Sequence, residues 1–135
     1  MKDIKKILTI AGSDPSGGAG IQADIKVITA HKMYAMNVST GLTVQNTTGI
    51  RDIFVIPPDF IAAQIDAIYE DIRPDAVKVG MVGNDAIVRT VAGKLREKKA
   101  ENIVLDPVIT STSGCSLITS ETLFAMVEEL LPLAD

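Results

Sequence analysis

The strongest chemical signal is a glycine-rich segment, Gly12–Gly20, with the sequence Gly-Ser-Asp-Pro-Ser-Gly-Gly-Ala-Gly. It lies between an apolar, β-branched run and a pattern typical of a helix. Four glycines in this segment would let backbone N–H groups approach a ligand closely. The segment lacks both the Gly-Lys-Ser/Thr of a Walker A loop and the spacing of a dinucleotide-binding fingerprint. A tight strand-to-helix turn is the alternative, but the glycine density favours a ligand-binding loop.

Two further polar segments follow predicted strands. Gln45 could recognise a heteroaromatic ring, because an amide both donates and accepts hydrogen bonds. The alternative is a turn built by Asn46 and Gly49, which turn chemistry favours. Asp106, followed by Pro107, closes a predicted strand. Its carboxylate could face a Mg²⁺-bound phosphate or could simply cap the chain at that point.

The remaining reactive residue types give no site of their own. Cys115 lies in a polar loop without a partner histidine, so we expect it to be incidental and not a nucleophile. The single histidine, His31, is expected to interact favourably with the end of a helix. With one histidine and one cysteine in the chain, we expect no metal site formed by such residues.

The elements that must position these residues alternate between β-rich runs and amphipathic helical patterns, which predicts an α/β fold with a mainly parallel sheet flanked by helices. Asn84 and Thr119 are predicted helix N-caps, and the last helix is expected to bury Leu123, Val127, Leu130 and Leu131. Strands are predicted at 7–11, 36–44, 53–56, 76–80 and 102–107, and helices at 20–31, 58–73, 85–98 and 120–131.

The topology predicts where a ligand would bind. In open α/β sheets, ligands bind beyond the carboxyl ends of the strands. Three polar or glycine-rich segments follow strands in this sequence, and we expect all three to line one crevice. They are Gly12–Gly20, Gln45–Gly49 and Asp106–Gly114.

Composition restricts the class of protein. The 135 residues suit one domain, and 47% hydrophobic residues exclude a disordered chain. A net charge of −4, with no basic cluster beyond Lys94–Lys99, argues against a nucleic-acid partner. A single cysteine excludes an internal disulfide and indicates a reducing compartment. No apolar run approaches the roughly 18 residues of a membrane span, so we expect a cytoplasmic protein with no membrane partner.

The motifs resemble those of one enzyme family. The run Leu8–Asp24 closely resembles the opening of hydroxymethylpyrimidine/phosphomethylpyrimidine kinases, which are thiamine-biosynthesis enzymes of the ribokinase-like superfamily. The resemblance continues through Leu42–Thr47, Asp75–Met81 and Val104–Val108. Four motifs in the same order cover nearly the whole chain. The resemblance therefore implies a ribokinase-like three-layer sandwich and a transferase that takes a phosphoryl group from Mg-ATP.

The resemblance also implies roles for individual residues. The acceptors would be 4-amino-5-hydroxymethyl-2-methylpyrimidine and then its monophosphate. Gln45 would hydrogen-bond the pyrimidine, and Asp106 would lie toward the phosphates and Mg²⁺. The other implied substrate contacts are backbone and close contacts at Gly12 and Ala19, a polar wall at Asp24, and apolar walls at Met81 and Val108.

The sequence departs from the family pattern in length. Family members are about twice as long, so residues 1–135 correspond to the N-terminal, substrate-side part of one kinase domain. The second glycine-rich segment, which carries the family's catalytic residue, is not found in this sequence. We therefore expect no catalytic residue within these residues, weak pyrimidine binding, essentially no phosphoryl transfer and a tendency to form homodimers. The alternatives are a pyridoxine- or pyridoxal-type kinase and a non-catalytic pyrimidine-binding module.

Overall fold

A computed structural model of the chain describes residues 3–135. Five strands form one sheet in the order β3-β2-β1-β4-β5, in which β3 is antiparallel to β2 and the other neighbours are parallel. This confirms the predicted mainly parallel sheet. The strands are β1 (Lys6–Ser13), β2 (Tyr34–Asn46), β3 (Gly49–Val55), β4 (Ala76–Val79) and β5 (Ile103–Leu105).

Helices cover both faces of the sheet. They are α1 (Gly20–Ala30), α2 (Pro58–Asp71), α3 (Asp85–Glu97) and α4 (Ser120–Ala125), which continues as a π-helical turn (Met126–Leu130) and a 3₁₀ turn (Leu131–Leu133). The predicted N-cap at Asn84 is confirmed, since its side chain accepts a hydrogen bond from the Ile87 N–H at 2.9 Å. None of the helices in residues 3–135 is long and apolar enough to cross a membrane.

Side chains of the central strands β1 and β4 point alternately to the two faces of the sheet, and each face packs against a different layer of helices. In β1, Leu8 and Ile10 belong to the core cluster that packs against α2, α3 and α4. Since successive side chains of a strand point to opposite faces, Thr9 faces the other side, where it contacts α1. The same alternation in β4 sends Val77 and Val79 into that core. The three-layer arrangement therefore has α1 alone on one face.

The hairpin formed by β2 and β3 corrects the predicted turn at Gln45–Gly49. Gln45 lies within β2 and pairs with Ile50, and the connection consists of Thr47 and Thr48 only. Strand β2 extends beyond the predicted 36–44 at both ends, and β3 begins at Gly49 instead of the predicted 53 and ends at Val55. The extension was missed because polar residues occupy the end of the hairpin, where neither face is deeply buried. Asn46 still acts as a turn residue, accepting a hydrogen bond from the Thr48 N–H at 2.9 Å.

The predicted buried face of the last helix is wrong except at Leu130. Leu123, Val127 and Leu131 are exposed. The buried residues are instead Thr122, Ala125, Met126 and Leu130. The π-helical turn interrupts the regular 3.6-residue spacing on which the prediction of Val127 and Leu131 depended. In the preceding α-helical turn, Thr122 and not Leu123 faces the core. Thr119 nevertheless caps the helix as predicted, accepting a hydrogen bond from the Thr122 N–H at 3.2 Å.

Candidate functional site

A cavity of about 340 Å³ opens beyond the carboxyl ends of the parallel strands. All three predicted segments contribute to it, which confirms the expected convergence on one crevice. Each of the seven candidate residues lies in its lining: Gly12, Ala19, Asp24, Gln45, Met81, Asp106 and Val108. The volume is within the usual range of small-molecule sites. The structure thus brings these residues together, while the contact each makes with a ligand remains a prediction.

The glycine-rich loop is organised by the buried carboxylate of Asp14. Its Oδ1 accepts hydrogen bonds from the Ser16 N–H at 2.9 Å and the Ser16 hydroxyl at 2.7 Å. Its Oδ2 accepts from the N–H groups of Gly18 at 3.0 Å and Ala19 at 2.9 Å. Burial of Asp14 opposes ionisation, but these hydrogen bonds outweigh it and lower the pKa of the carboxyl group.

This arrangement corrects part of the argument from glycine density. The N–H groups of Gly18 and Ala19 are already bonded to Asp14, so they do not point to a ligand. The loop instead forms one wall of the cavity, and the side chain of Asp14 fixes its conformation. Ala19 therefore contributes close contact to the cavity and no hydrogen-bond donor.

Glycine is required at Gly20 for a conformational reason. Gly20 has a φ of +58°, and a Cβ atom there would lie 2.2 Å from the backbone oxygen of Gly12. A side chain is thus excluded both by the left-handed backbone and by contact with rigid backbone. At Gly12 itself, a Cβ atom would lie 2.3 Å from the Cε atom of Met81. The loop and the Met81 wall of the cavity consequently pack directly on each other.

Gln45 reaches the cavity from β2. The Thr43 hydroxyl lies 2.8 Å from the Ser13 carbonyl oxygen and 3.0 Å from the Gln45 Oε1. A hydroxyl has one hydrogen and can donate to only one of these oxygens at a time. Within residues 3–135, the Nε2 of Gln45 donates to no protein group. The amide therefore offers the cavity a donor, as a ring-recognition role requires.

A polar cluster of Thr9, Asp24 and Lys78 lies beneath α1 and was missed in the sequence. The fully buried Thr9 donates its hydroxyl to the Asp24 Oδ2 at 2.6 Å. The Lys78 Nζ lies 3.0 and 2.9 Å from the two carboxylate oxygens of Asp24. A usable signal was present, because interior strands of parallel sheets are normally almost wholly apolar. Lys78 interrupts such a strand, Ala-Val-Lys-Val.

Asp106 follows β5 at the rim of the cavity. Its side chain is 59% exposed, and its Oδ2 lies 4.0 Å from the Lys78 Nζ. Among residues 3–135, no backbone N–H donates to the Asp106 carboxylate, so the simple capping role is not observed. Asp106 therefore lies where open α/β sheets bind their ligands, with its carboxylate free to accept a contact from a cationic group or a metal ion.

Comparison with known proteins decides the family. The family profile described as phosphomethylpyrimidine kinase matches residues 14–135. The chain belongs to this family. It is 45% identical over 125 residues to the hydroxymethylpyrimidine/phosphomethylpyrimidine kinase of Escherichia coli, a match that covers 93% of this chain and 47% of the relative.

Solved structures extend the comparison to the fold. A crystal structure of phosphomethylpyrimidine kinase from Clostridium difficile matches with a TM-score of 0.91 and 43% identity, covering 96% of this chain and 56% of that one. A pyridoxal kinase from Staphylococcus aureus in complex with AMP-PCP and pyridoxal matches with a TM-score of 0.80 and 34% identity, covering 98% of this chain and 46% of that one. These similarities confirm the ribokinase-like fold class. The chain spans about half the length of the curated relatives it matches.

Proposed function

We propose that this chain provides the acceptor-binding side of a kinase that phosphorylates hydroxymethylpyrimidine and then its monophosphate in thiamine biosynthesis, with Mg-ATP as co-substrate. The single observation that carries the proposal is the convergence of Gln45, Met81 and Asp106, from three separate elements, on one cavity of about 340 Å³. Membership of the phosphomethylpyrimidine kinase family supports the same assignment.

The chemistry of the cavity matches the acceptor. Gln45 offers its amide to the heteroatoms of the ring. Met81 and Val108 are apolar neighbours for the ring faces, and Gly12 and Ala19 allow close approach. Asp24 forms a polar wall through its contacts with Thr9 and Lys78. Such fixed contacts orient the hydroxymethyl oxygen and exclude water from the cavity. The hydroxymethyl oxygen then attacks the terminal phosphorus of ATP. The bond from that phosphorus to its bridging oxygen then breaks, ADP leaves, and the hydroxyl proton is released.

Asp106 is the residue that we assign to the Mg²⁺ and phosphate side. Magnesium in such sites is typically held by one or two carboxylates together with substrate phosphates and water. Residues 3–135 contain no group of three or more His, Cys, Asp or Glu side chains that could hold a metal ion. A single exposed carboxylate fits a magnesium ion that is carried mainly by ATP, and fits poorly with an ion bound by protein alone.

A pyridoxal kinase is the second candidate, favoured by the likeness to the pyridoxal-bound structure from Staphylococcus aureus. Calorimetric titration of this chain with hydroxymethylpyrimidine, pyridoxal and ribose separates the candidates. We expect the pyrimidine to bind most tightly. Tighter binding of pyridoxal would favour the second candidate. Binding of none of the three would contradict the proposal. Binding of the pyrimidine without phosphoryl transfer from Mg-ATP, when this chain is joined to the C-terminal half of a family member, would instead favour a non-catalytic binding module.

We further propose that the chain forms homodimers through the C-terminal apolar face, defined here as Leu123, Phe124, Val127 and Leu131. All four side chains are at least 38% exposed, and contiguous exposed apolar residues favour association. Sedimentation tests this with Phe124→Lys, which should shift the protein toward monomer. The same change at Phe60, which is similarly exposed at 62% but lies on α2, is the control. Equal behaviour of both variants and the parent would contradict the assignment of this face.

A further inference from the structure

Lys78 is the only cationic residue that lines the cavity within residues 3–135. The lining also contains the carboxylates of Asp14, Asp24 and Asp106. The charge of Asp14 is satisfied by N–H and hydroxyl donors of its own loop. Lys78 therefore offsets one of the two carboxylate charges, of Asp24 and Asp106, that would otherwise both repel an anionic ligand.

Packing alone does not explain a charge at Lys78. The residue lies in an interior strand of a parallel sheet, where side chains are normally apolar, and an apolar side chain in place of a paired charge is often at least as stable. The strand order places β4 between β1 and β5. The neighbouring glycine leaves room for the ammonium group, since a Cβ atom at Gly80 would lie 3.1 Å from the Lys78 Nζ.

The ammonium group is only partly satisfied by the protein. It has three N–H donors, of which at most two are directed at the carboxylate oxygens of Asp24. Asp106, at 4.0 Å, is close enough for charge interaction but beyond hydrogen-bond distance. The side chain is 27% exposed. Lys78 therefore has a donor left for a ligand atom in the cavity that it lines.

We propose that Lys78 is the specificity residue that admits the phosphorylated acceptor. This inference rests on the proposed function and concerns its second step, in which the acceptor already carries a phosphate. Asp24 fixes the ammonium group in place, and the free donor of Lys78 binds a phosphate oxygen of the monophosphate. The uncharged alcohol lacks this contact. The loss of Lys78 should therefore weaken binding of the monophosphate far more than binding of the alcohol.

Calorimetric titration with hydroxymethylpyrimidine and with its monophosphate tests the inference. For Lys78→Met, we expect the Kd of the monophosphate to rise at least about tenfold more than the Kd of the alcohol, as for a lost charge-assisted hydrogen bond. Lys78→Arg should restore most of the monophosphate affinity. Because Lys78→Met leaves Asp24 unpaired, Lys78→Gln, which keeps a donor to Asp24, carries the same comparison if the first variant does not fold.

Lys94→Met is the matched control. Lys94 also pairs with both oxygens of one carboxylate, that of Asp66, at 2.9 and 2.8 Å, but outside the cavity. The variant Lys94→Met should leave the affinities for the alcohol and for the monophosphate unchanged, even if it lowers the free energy of unfolding. An equal loss for the two ligands in Lys78→Met would overturn the inference and leave the proposed function standing. Binding of neither ligand to the parent chain would overturn the proposed function, and the inference with it.

Discussion

Gln45 is the residue on which recognition of the ring depends most directly. Gln45→Ala should weaken pyrimidine binding by about 1–3 kcal/mol, because a polar atom of the bound ring loses its partner in a half-buried site. Calorimetry of the parent and the variant measures the change. Asn46→Ala removes the same amide from the next residue, whose side chain bonds Thr48, and should leave the affinity unchanged. Equal affinities for the parent and Gln45→Ala would remove Gln45 from the site.

Asp14 makes the glycine-rich loop sensitive to acid. Its pKa in the folded state is lower than the ordinary value of 3.8, because the hydrogen bonds to its carboxylate outweigh the effect of burial. The stability that Asp14 contributes is thus fully present above the ordinary pKa and is lost as the pH falls through the lower, folded-state value. Asp14→Asn should reduce the free energy of unfolding at neutral pH, and the difference from the parent should shrink in acid.

Urea unfolding of the parent and of Asp14→Asn, from neutral pH down into acid, measures the difference between their free energies of unfolding. Asp71→Asn, which makes the same substitution at an exposed position at the end of α2, is the control and should cause no comparable loss of stability at neutral pH. If the difference between the parent and Asp14→Asn were the same in acid as at neutral pH, the ionised carboxylate would not be what stabilises the loop.

Residue types predicted the candidate site better than they predicted its electrostatics. Gly12, Gln45 and Asp106 could be chosen because each lies at or just beyond the carboxyl end of a predicted strand, where the topology places ligands. Lys78 was not among the predicted site residues because it lies within a strand and not in a loop, although a charge in an apolar strand is a signal that the sequence contains. The hydrogen bonds of Asp14 could not be predicted, because they depend on how the loop folds back on its own carboxylate.

At the scale of elements, the turn from β1 into α1 is the feature most sensitive to substitution. Gly20→Ala should lower the free energy of unfolding by about 2–4 kcal/mol, since a side chain meets both an unfavourable φ and the Gly12 carbonyl. Gly93→Ala, in α3, is the matched control, because a Cβ atom there meets nothing within 4 Å. It should stabilise the protein by up to about 1 kcal/mol through helix propensity.

Denaturant unfolding of both alanine variants gives the comparison. Equal stabilities for Gly20→Ala and the parent would mean that the loop can adopt another backbone conformation.

The helices themselves were largely predictable, because α1, α2 and α3 each follow a regular apolar spacing and begin or end at recognisable residues. The segment after Ser120 was not, since the π-helical turn at Met126–Leu130 shifts which residues face the core.

At the scale of the whole molecule, the sheet brings distant parts of the sequence to one place. Gln45 and Asp106 are separated by three strands and two helices along the chain, yet both line the cavity with Gly12. The parallel arrangement explains this, because strands that run in one direction end at the same edge. The fold class and the crevice could therefore be predicted from sequence, whereas the longer β2–β3 hairpin required the structure.

The central claim is that this crevice binds the pyrimidine acceptor. The most direct test is a two-dimensional amide NMR titration of the chain with hydroxymethylpyrimidine. We predict saturable shift changes concentrated at Gly12, Gln45 and Met81, with little change at the opposite edge of the sheet around Lys6 and Asp75. Changes confined to that opposite edge, or no saturable change up to the solubility limit of the ligand, would contradict the account.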